Sequence, residues 1–254
     1  MTDHILVDRD GPVLTLVMDR VEKRNALTDD MYRVLADEIG GAQSDPTIKV
    51  VVLRGNGEAF TAGNDLADFA TAKPGAAAGN DARFISAIAS AEKPLIAAVQ
   101  GRAVGVGTTM LLHCDQIILA DDAKLSTPFA SLGLVPEAAS SLLLPARIGH
   151  ARAFSMLALG EIVEAREAVA WGLANTSVPP SDLKSAIEAL ATRIALQPPG
   201  AVRATKRLMR EVEVISARLQ TEGGQFRERL QSPEAKEAFL AFAQRRPPDF
   251  TQFD

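Results

Sequence analysis

The chain has a single cysteine, Cys114, which excludes an intrachain disulfide; set in an apolar run, it reads as an unreactive buried thiol compatible with a reducing compartment. Basic residues are not in excess. With 27 Lys and Arg against 32 Asp and Glu, the net charge is -5, so nothing general attracts nucleic acid or a membrane surface, and any anionic ligand must be met locally. No apolar run reaches the ~18 residues of a membrane-spanning helix. No charged start followed by an apolar stretch opens the chain, and TQFD at its end is not a peroxisomal signal, so a cytoplasmic protein is expected. Three scattered histidines form no H-E-x-x-H pair, and no G-x-S-x-G elbow is present, which disfavours metal and serine-hydrolase chemistry. His113, within an apolar helix, reads as a satisfied core histidine.

What the sequence does have is enough hydrophobic residues, 47% of 254, to bury a full core in one large domain, or in a core with an appendage. The β-rich runs 5–7 and 13–18 flank Asp10-Gly11 and predict an opening hairpin. Thr28 reads as the N-cap of an amphipathic helix in which Met31, Leu35 and Ile39 recur every four residues. Residues 48–53, 95–99 and 116–120 read as buried strands, with a helix over 106–113 between the last two and a short strand at 124–126. This alternation predicts a largely parallel, layered α/β core. The Gly/Ala/Pro-rich stretch 71–80 reads as a mobile loop, and Phe84, Ile85 and Ile88 mark a helix ended by Pro94. From about Pro198 the chain turns helical and charged, with Ser232-Pro233-Glu234 as a helix start. The expected division is a core over 1–197 and a helical region over 198–254.

The richest stretch runs from Ile96 to Ser141: an apolar strand, the turn GRAVGVG, an apolar helix, and one carboxylate, Glu137, among hydrophobic residues. Gly105-Val106-Gly107 is followed by Met110 where a dinucleotide loop needs its third glycine, and by no Walker lysine. The glycines instead allow close backbone approach, with free N–H groups at a helix start forming an anion site; the alternative is tight helix packing. AFTAGNDL, 59–66, supplies a second glycine-containing turn that could present another N–H to the same oxygen. Glu137 could be a base or nucleophile, or could cap a helix opening at Pro136-Glu137-Ala138.

KRNALTDDM, AFTAGNDL, AAVQGRAVGVGTTMLLHCD and TPFASLGLVPEAASSLLLPARIG, in this order and spacing, resemble blocks of the crotonase, or enoyl-CoA hydratase/isomerase, superfamily over essentially the whole chain. The resemblance implies a crotonase-like spiral of ββα units and a C-terminal helical trimerisation region, often in a hexamer of two trimers. It also implies an acyl-CoA thioester ligand, with coenzyme A entering as part of the substrate and no permanently bound cofactor or metal. By position, the peptide N–H groups of Asn64 and Val106 would hold the thioester oxygen, with Gly63 and Gly105 shaping the two turns. Lys23, Arg24 and Ala26 would lie along the CoA nucleotide, Ala62 and Leu66 along the adenine or pantetheine path, and Asp65, Phe129 and Leu132 beside the ligand. Asp65 reads as a local backbone cap and not as a proton-transfer group. Lys206, Arg245 and Arg246 are further CoA candidates. Where the family's hydratases carry two glutamates, this chain has Thr109 and Phe129, neither able to act as a base at neutral pH. Glu137 instead matches the single glutamate of the superfamily's Δ3-Δ2-enoyl-CoA isomerases, with Phe129, Leu132, Leu134 and Val135 expected to desolvate it. The expected activity is therefore isomerisation of a 3-enoyl-CoA; the alternatives are a hydratase or another crotonase-type acyl-CoA reaction, and a non-catalytic acyl-CoA-binding protein.

Overall fold

A computed structural model describes residues 3–65 and 79–253. Strands β1 (Ile5–Asp10) and β2 (Val13–Met18) form the expected antiparallel hairpin, with Gly11 supplying the positive φ of its turn. β2 then pairs in parallel with β3 (Val50–Gly55), β3 with β4 (Leu95–Val99), β4 with β6 (Gln116–Ala120) and β6 with β9 (Thr176–Val178). A second sheet sets β5 (Arg102–Val104) beside β7 (Lys124–Ser126), and β7 against β8 (Val163–Glu164).

Strict alternation along the central strands explains why the main sheet is covered on both faces. Val51 and Leu53, Ala97 and Val99, and Ile117 and Leu119 belong to one apolar cluster with Met31, Leu35 and Ile39 of α1 (Asp29–Ser44) and Phe84 and Ile88 of α2 (Asn80–Ser90). Their alternates Val50, Val52, Ile96, Ala98, Ile118 and Ala120 join Leu183, Ile187 and Leu190 of a helix, Leu183–Ala195, on the opposite face. Fully burying each such aliphatic side chain contributes about 1.5–3 kcal/mol, which makes the sheet a rigid platform for the turns at its strand ends. Thr28 caps α1 as read, its hydroxyl accepting from Met31 N–H at 3.3 Å.

The predicted loop over 71–80 lies outside the described residues up to 78, and Asn80 is already the first residue of α2, so that end of the expectation is corrected. The helix after Gly105 is α3 (Val106–Thr109), which tightens into a 3₁₀ turn over Met110–His113. Beyond Pro198 come helices Pro199–Leu208, Val212–Leu230 and Pro233–Ala243, the last capped by Ser232, whose hydroxyl accepts from Ala235 N–H at 3.1 Å.

Candidate active site

Two turns that are far apart in sequence are pressed together here. A bridge pairs Thr61 with Ala103, a Cβ on Gly63 would come within 2.7 Å of the Val104 carbonyl oxygen, and one on Gly107 within 2.6 Å of Thr61 Cγ2. Gly105 differs from both: a Cβ there would meet nothing within 4 Å, but its φ of +56° is a left-handed geometry that favours glycine. The two glycines therefore divide the readings. Gly107 is needed for close packing, whereas Gly105 is needed to turn the chain so that Val106 opens α3 at its first position, with an N–H that no helical carbonyl can satisfy.

In the facing turn, Leu27 N–H donates to Gly63 O at 2.8 Å and Asp65 N–H to Leu27 O at 2.9 Å, which leaves the Asn64 N–H between them outside the pairing. Asn25, missed in the sequence, builds this wall. Completely buried at a φ of 56°, it accepts from Arg20 N–H and donates through Nδ2 to Asn56 O and Ala59 O, all at 2.8 Å; its own carbonyl accepts from Thr61 Oγ1 at 2.6 Å. The clue in the sequence was its type, since Asn enters the left-handed region more readily than other non-glycine residues.

Lys23 and Arg24 sit exposed on the same turn, Ala26 and Ala62 are half-buried, and Ala62 N–H donates to Arg24 O at 2.9 Å, so these four are contiguous. The Asp65 carboxylate accepts from Arg20 Nη1 at 2.6 Å, and Arg20 also donates to Ala26 O. Leu66 lies outside the described residues. Lys206 is corrected from a ligand candidate to a core ion pair, because its ammonium is buried and donates to Asp115 Oδ2 at 2.7 Å and to Lys93 O at 2.9 Å. Arg246 is in a surface ion pair with Glu237, and Arg245 beside it is exposed.

Glu137 sits in the segment after β7. It does not open a helix: Ala138 and Ala139 both take left-handed φ values, 58° and 55°, and helix α4 begins only at Ser140 (Ser140–Ile148). Two alanines in that conformation cost about 1–2 kcal/mol each, and the result is to turn the Glu137 side chain away from any capping role. Its Oε1 is covered and has no hydrogen-bond partner among the described residues. Burial, reinforced by the charges of Asp81 and Glu222, pushes its carboxyl up to about 8. Phe129 and Leu134 are buried, and with Leu132 they pack against Phe226 and Ala235 of the C-terminal helices. Three of the four expected apolar residues are thus part of a cluster that those helices close, while Val135 is half-buried outside it. Thr109, fully buried, turns its hydroxyl back to Val106 O at 3.5 Å.

Further contacts connect Glu137 to the turns. The Tyr32 hydroxyl donates to Asn64 Oδ1, and burial, then the charges of Glu137 and Asp81, raise its pKa well above the phenol range; Glu137 is therefore within electrostatic reach of the Asn64 turn. His113, at the end of the segment that Val106 opens, contacts Ala138 O through Nε2 at 2.8 Å, and Arg210 Nη2 faces its Nδ1 at 2.5 Å. Arg210 can only donate, so Nδ1 is the acceptor and Nε2 carries the proton. Burial and Arg210 depress its pKa to about 3, the behaviour expected of a neutral core histidine, while burial raises that of Cys114 to about 12. No group of metal-ligating side chains occurs among the described residues, and none of their helices is long and apolar enough to cross a membrane.

Comparison with known proteins bears on this geometry. The enoyl-CoA hydratase/isomerase family model matches residues 8–253. Enoyl-CoA delta isomerase 2 of Rattus norvegicus is 35% identical over 251 residues, covering 96% of this chain, which spans 64% of that protein's length. The 2,3-dehydroadipyl-CoA hydratase of Escherichia coli (strain K12) is 34% identical over 253 residues, 97% of this chain and 98% of its own. The crystal structure of an enoyl-CoA hydratase/isomerase from Pseudoalteromonas atlantica T6c superposes with a TM-score of 0.94 at 40% identity, covering 98% of this chain and all of the other. Relatives at equal identity thus carry different reactions. The chain is an enzyme of the enoyl-CoA hydratase/isomerase family, with the crotonase fold.

Proposed function

We propose that the enzyme shifts the double bond of a 3-enoyl-CoA to the 2 position through a thioester enolate. The observation that carries this reading is the Glu137 carboxyl, covered and unpartnered at Oε1, raised to about 8, and electrostatically coupled to Tyr32, whose hydroxyl donates to the Asn64 turn. Ionised Glu137 would take the proton from C2, the developing charge on the thioester oxygen would be held by the N–H groups of Asn64 and Val106, and the protonated carboxyl would return the proton to C4. One group suffices because it alternates between base and acid, and a pKa near the working range suits both steps. Each backbone donor is worth about 2.7–4 kcal/mol of transition-state stabilisation.

Lys23, Arg24, Ala26 and Ala62 supply a contiguous strip for the CoA moiety, with the two cations able to meet its phosphates. Exposed Leu196, Leu208, Met209 and Phe242 support assembly into a homotrimer or a dimer of trimers. We also place the enzyme in the cytoplasm.

One observation favours a second reading, hydration: Glu222 provides a second carboxylate near Glu137. Product analysis decides. A 3-enoyl-CoA should gain conjugated-thioester absorbance, and Glu137→Gln should abolish the gain while acyl-CoA still binds. Unchanged turnover in Glu137→Gln, or hydration of a 2-enoyl-CoA with no isomerisation, would overturn the proposal.

A further inference from the structure

We propose that Glu222 is a positioning residue for Glu137, its carboxylate clamping the left-handed turn that aims the base. The proposal rests on Glu137 being that base. Glu222 lies on the Val212–Leu230 helix, in the row Ile215, Leu219, Glu222, Phe226 that faces the core, and is 5% exposed. Its Oε1 accepts from Ser141 N–H at 2.9 Å and Ser141 Oγ at 2.5 Å, immediately beyond the Ala138–Ala139 turn. Two helical turns earlier, Ile215 packs against Ala139 itself and against Ala89 of α2. From the other side, the His113 imidazole holds Ala138 O. Two consecutive alanines with positive φ need such over-determination, because nothing in their own side chains favours the conformation.

A structural clamp alone does not require a carboxylate. A serine or asparagine could accept from Ser141 without bringing a charge to an apolar helix face, where burial is costly. Glu222 Oε2 and Ser140 Oγ are, with Glu137 Oε1, the buried side-chain polar atoms left without partners among the described residues, and all three belong to this turn and its clamp. Burial raises the carboxyl of Glu222, opposed by the Ser141 hydroxyl, the Ser141 and Ala139 amides and Arg218. Glu137 is coupled to Glu222 from this helix, to Asp81 from α2 and to the Tyr32 hydroxyl from α1, while the neutral His113, from the 110–113 segment, holds Ala138 O of the turn. A charge on Glu222 therefore tends to keep the proton on Glu137, besides fixing where that carboxyl points.

The test compares wild type, Glu222→Ala, Glu222→Gln and Glu137→Gln in isomerisation of a 3-enoyl-CoA, reading kcat, KM, the pH profile of kcat/KM and thermal unfolding. Glu222→Ala should lower kcat by about 10²-fold with little change in KM, the loss expected when a catalytic group is displaced by about 1 Å. Glu222→Gln keeps an acceptor for Ser141 and should recover most of kcat, while the limb that reports ionisation of the base moves to lower pH because a negative neighbour is gone. Glu222→Ala at near wild-type kcat, or a limb unmoved in Glu222→Gln, overturns the proposal. If Glu222→Ala does not fold, the limb in Glu222→Gln decides. Glu137→Gln inactive alongside a fully active Glu222→Ala defeats only the positioning role, whereas an active Glu137→Gln defeats the base assignment beneath it.

Discussion

Replacing Glu137 by Gln should make the protein more stable at alkaline pH, and the difference can be worked from the burial of the carboxyl. Its pKa is raised from the ordinary 4.5 to about 8, chiefly by desolvation. In the unfolded chain the group ionises near its ordinary value, so between these two pH values the folded protein retains a proton that the unfolded chain has lost. Stability contributed by the folded-state proton is fully present below 4.5, declines by up to about 1.4 kcal/mol per pH unit, and is lost above 8; the total is on the order of 5 kcal/mol. Gln has the same shape and no charge to desolvate. Urea unfolding of both proteins from pH 5 to 9, at a common m-value, should give stabilities that differ little at pH 5 and diverge by several kcal/mol at pH 9. Because every other titrating group is shared, the difference reports Glu137 together with the groups coupled to it, Asp81, Glu222 and Tyr32. A gap that stays constant with pH would refute the claim that this carboxyl is buried and poised. Against a typical total of about 5–15 kcal/mol, such a cost is large, and a retained charged base at that cost is what a trade of stability for chemistry looks like.

Val106→Pro should fold, because the first position of a helix tolerates proline and the preceding Gly105 is conformationally permissive, although the buried Val106 side chain is lost from the core; it removes the N–H assigned to the oxyanion and should lower kcat about 10²–10³-fold, beyond what Val106→Ala, which keeps the N–H, does. Retained turnover in a folded variant would remove Val106 from the site. Asn25→Ala should destabilise the protein by about 3 kcal/mol, measurable as a lower urea midpoint, since it removes the buried amide that Asn56 O and Ala59 O accept from, leaves Ala59 O with the long Gln100 Nε2 contact at 3.4 Å, and puts alanine at a positive φ. A variant of unchanged stability would show that the wall of this turn is held by other contacts.

Much of the architecture could be read locally. The hairpin followed from Asp10-Gly11, α1 from its Thr28 cap, and the central strands from continuous apolar runs, because hydrogen-bonding period and turn chemistry are properties of neighbouring residues. Glu137 could be singled out as a lone carboxylate among apolar residues, but its role remained divided between base and cap. The left-handed Ala138–Ala139 turn removed the cap, and no propensity of alanine announces such a turn.

Other residues depended on contacts between distant parts of the chain. Lys206 read as a further CoA candidate, whereas in the fold Asp115, 91 residues away, pairs with it in the core. Glu222 gave one signal, a carboxylate on the apolar row of its helix, yet its meaning required knowing that this row returns to the turn after Glu137. What the sequence by itself determined is the set of elements, the two glycine turns and the candidate base, all encoded within a few residues. What only the tertiary structure decided is which turns face each other, which charges lie close enough to hold a proton on Glu137, and which cations are already paired, because burial and electrostatics depend on distances that the sheet sets between residues far apart in the chain.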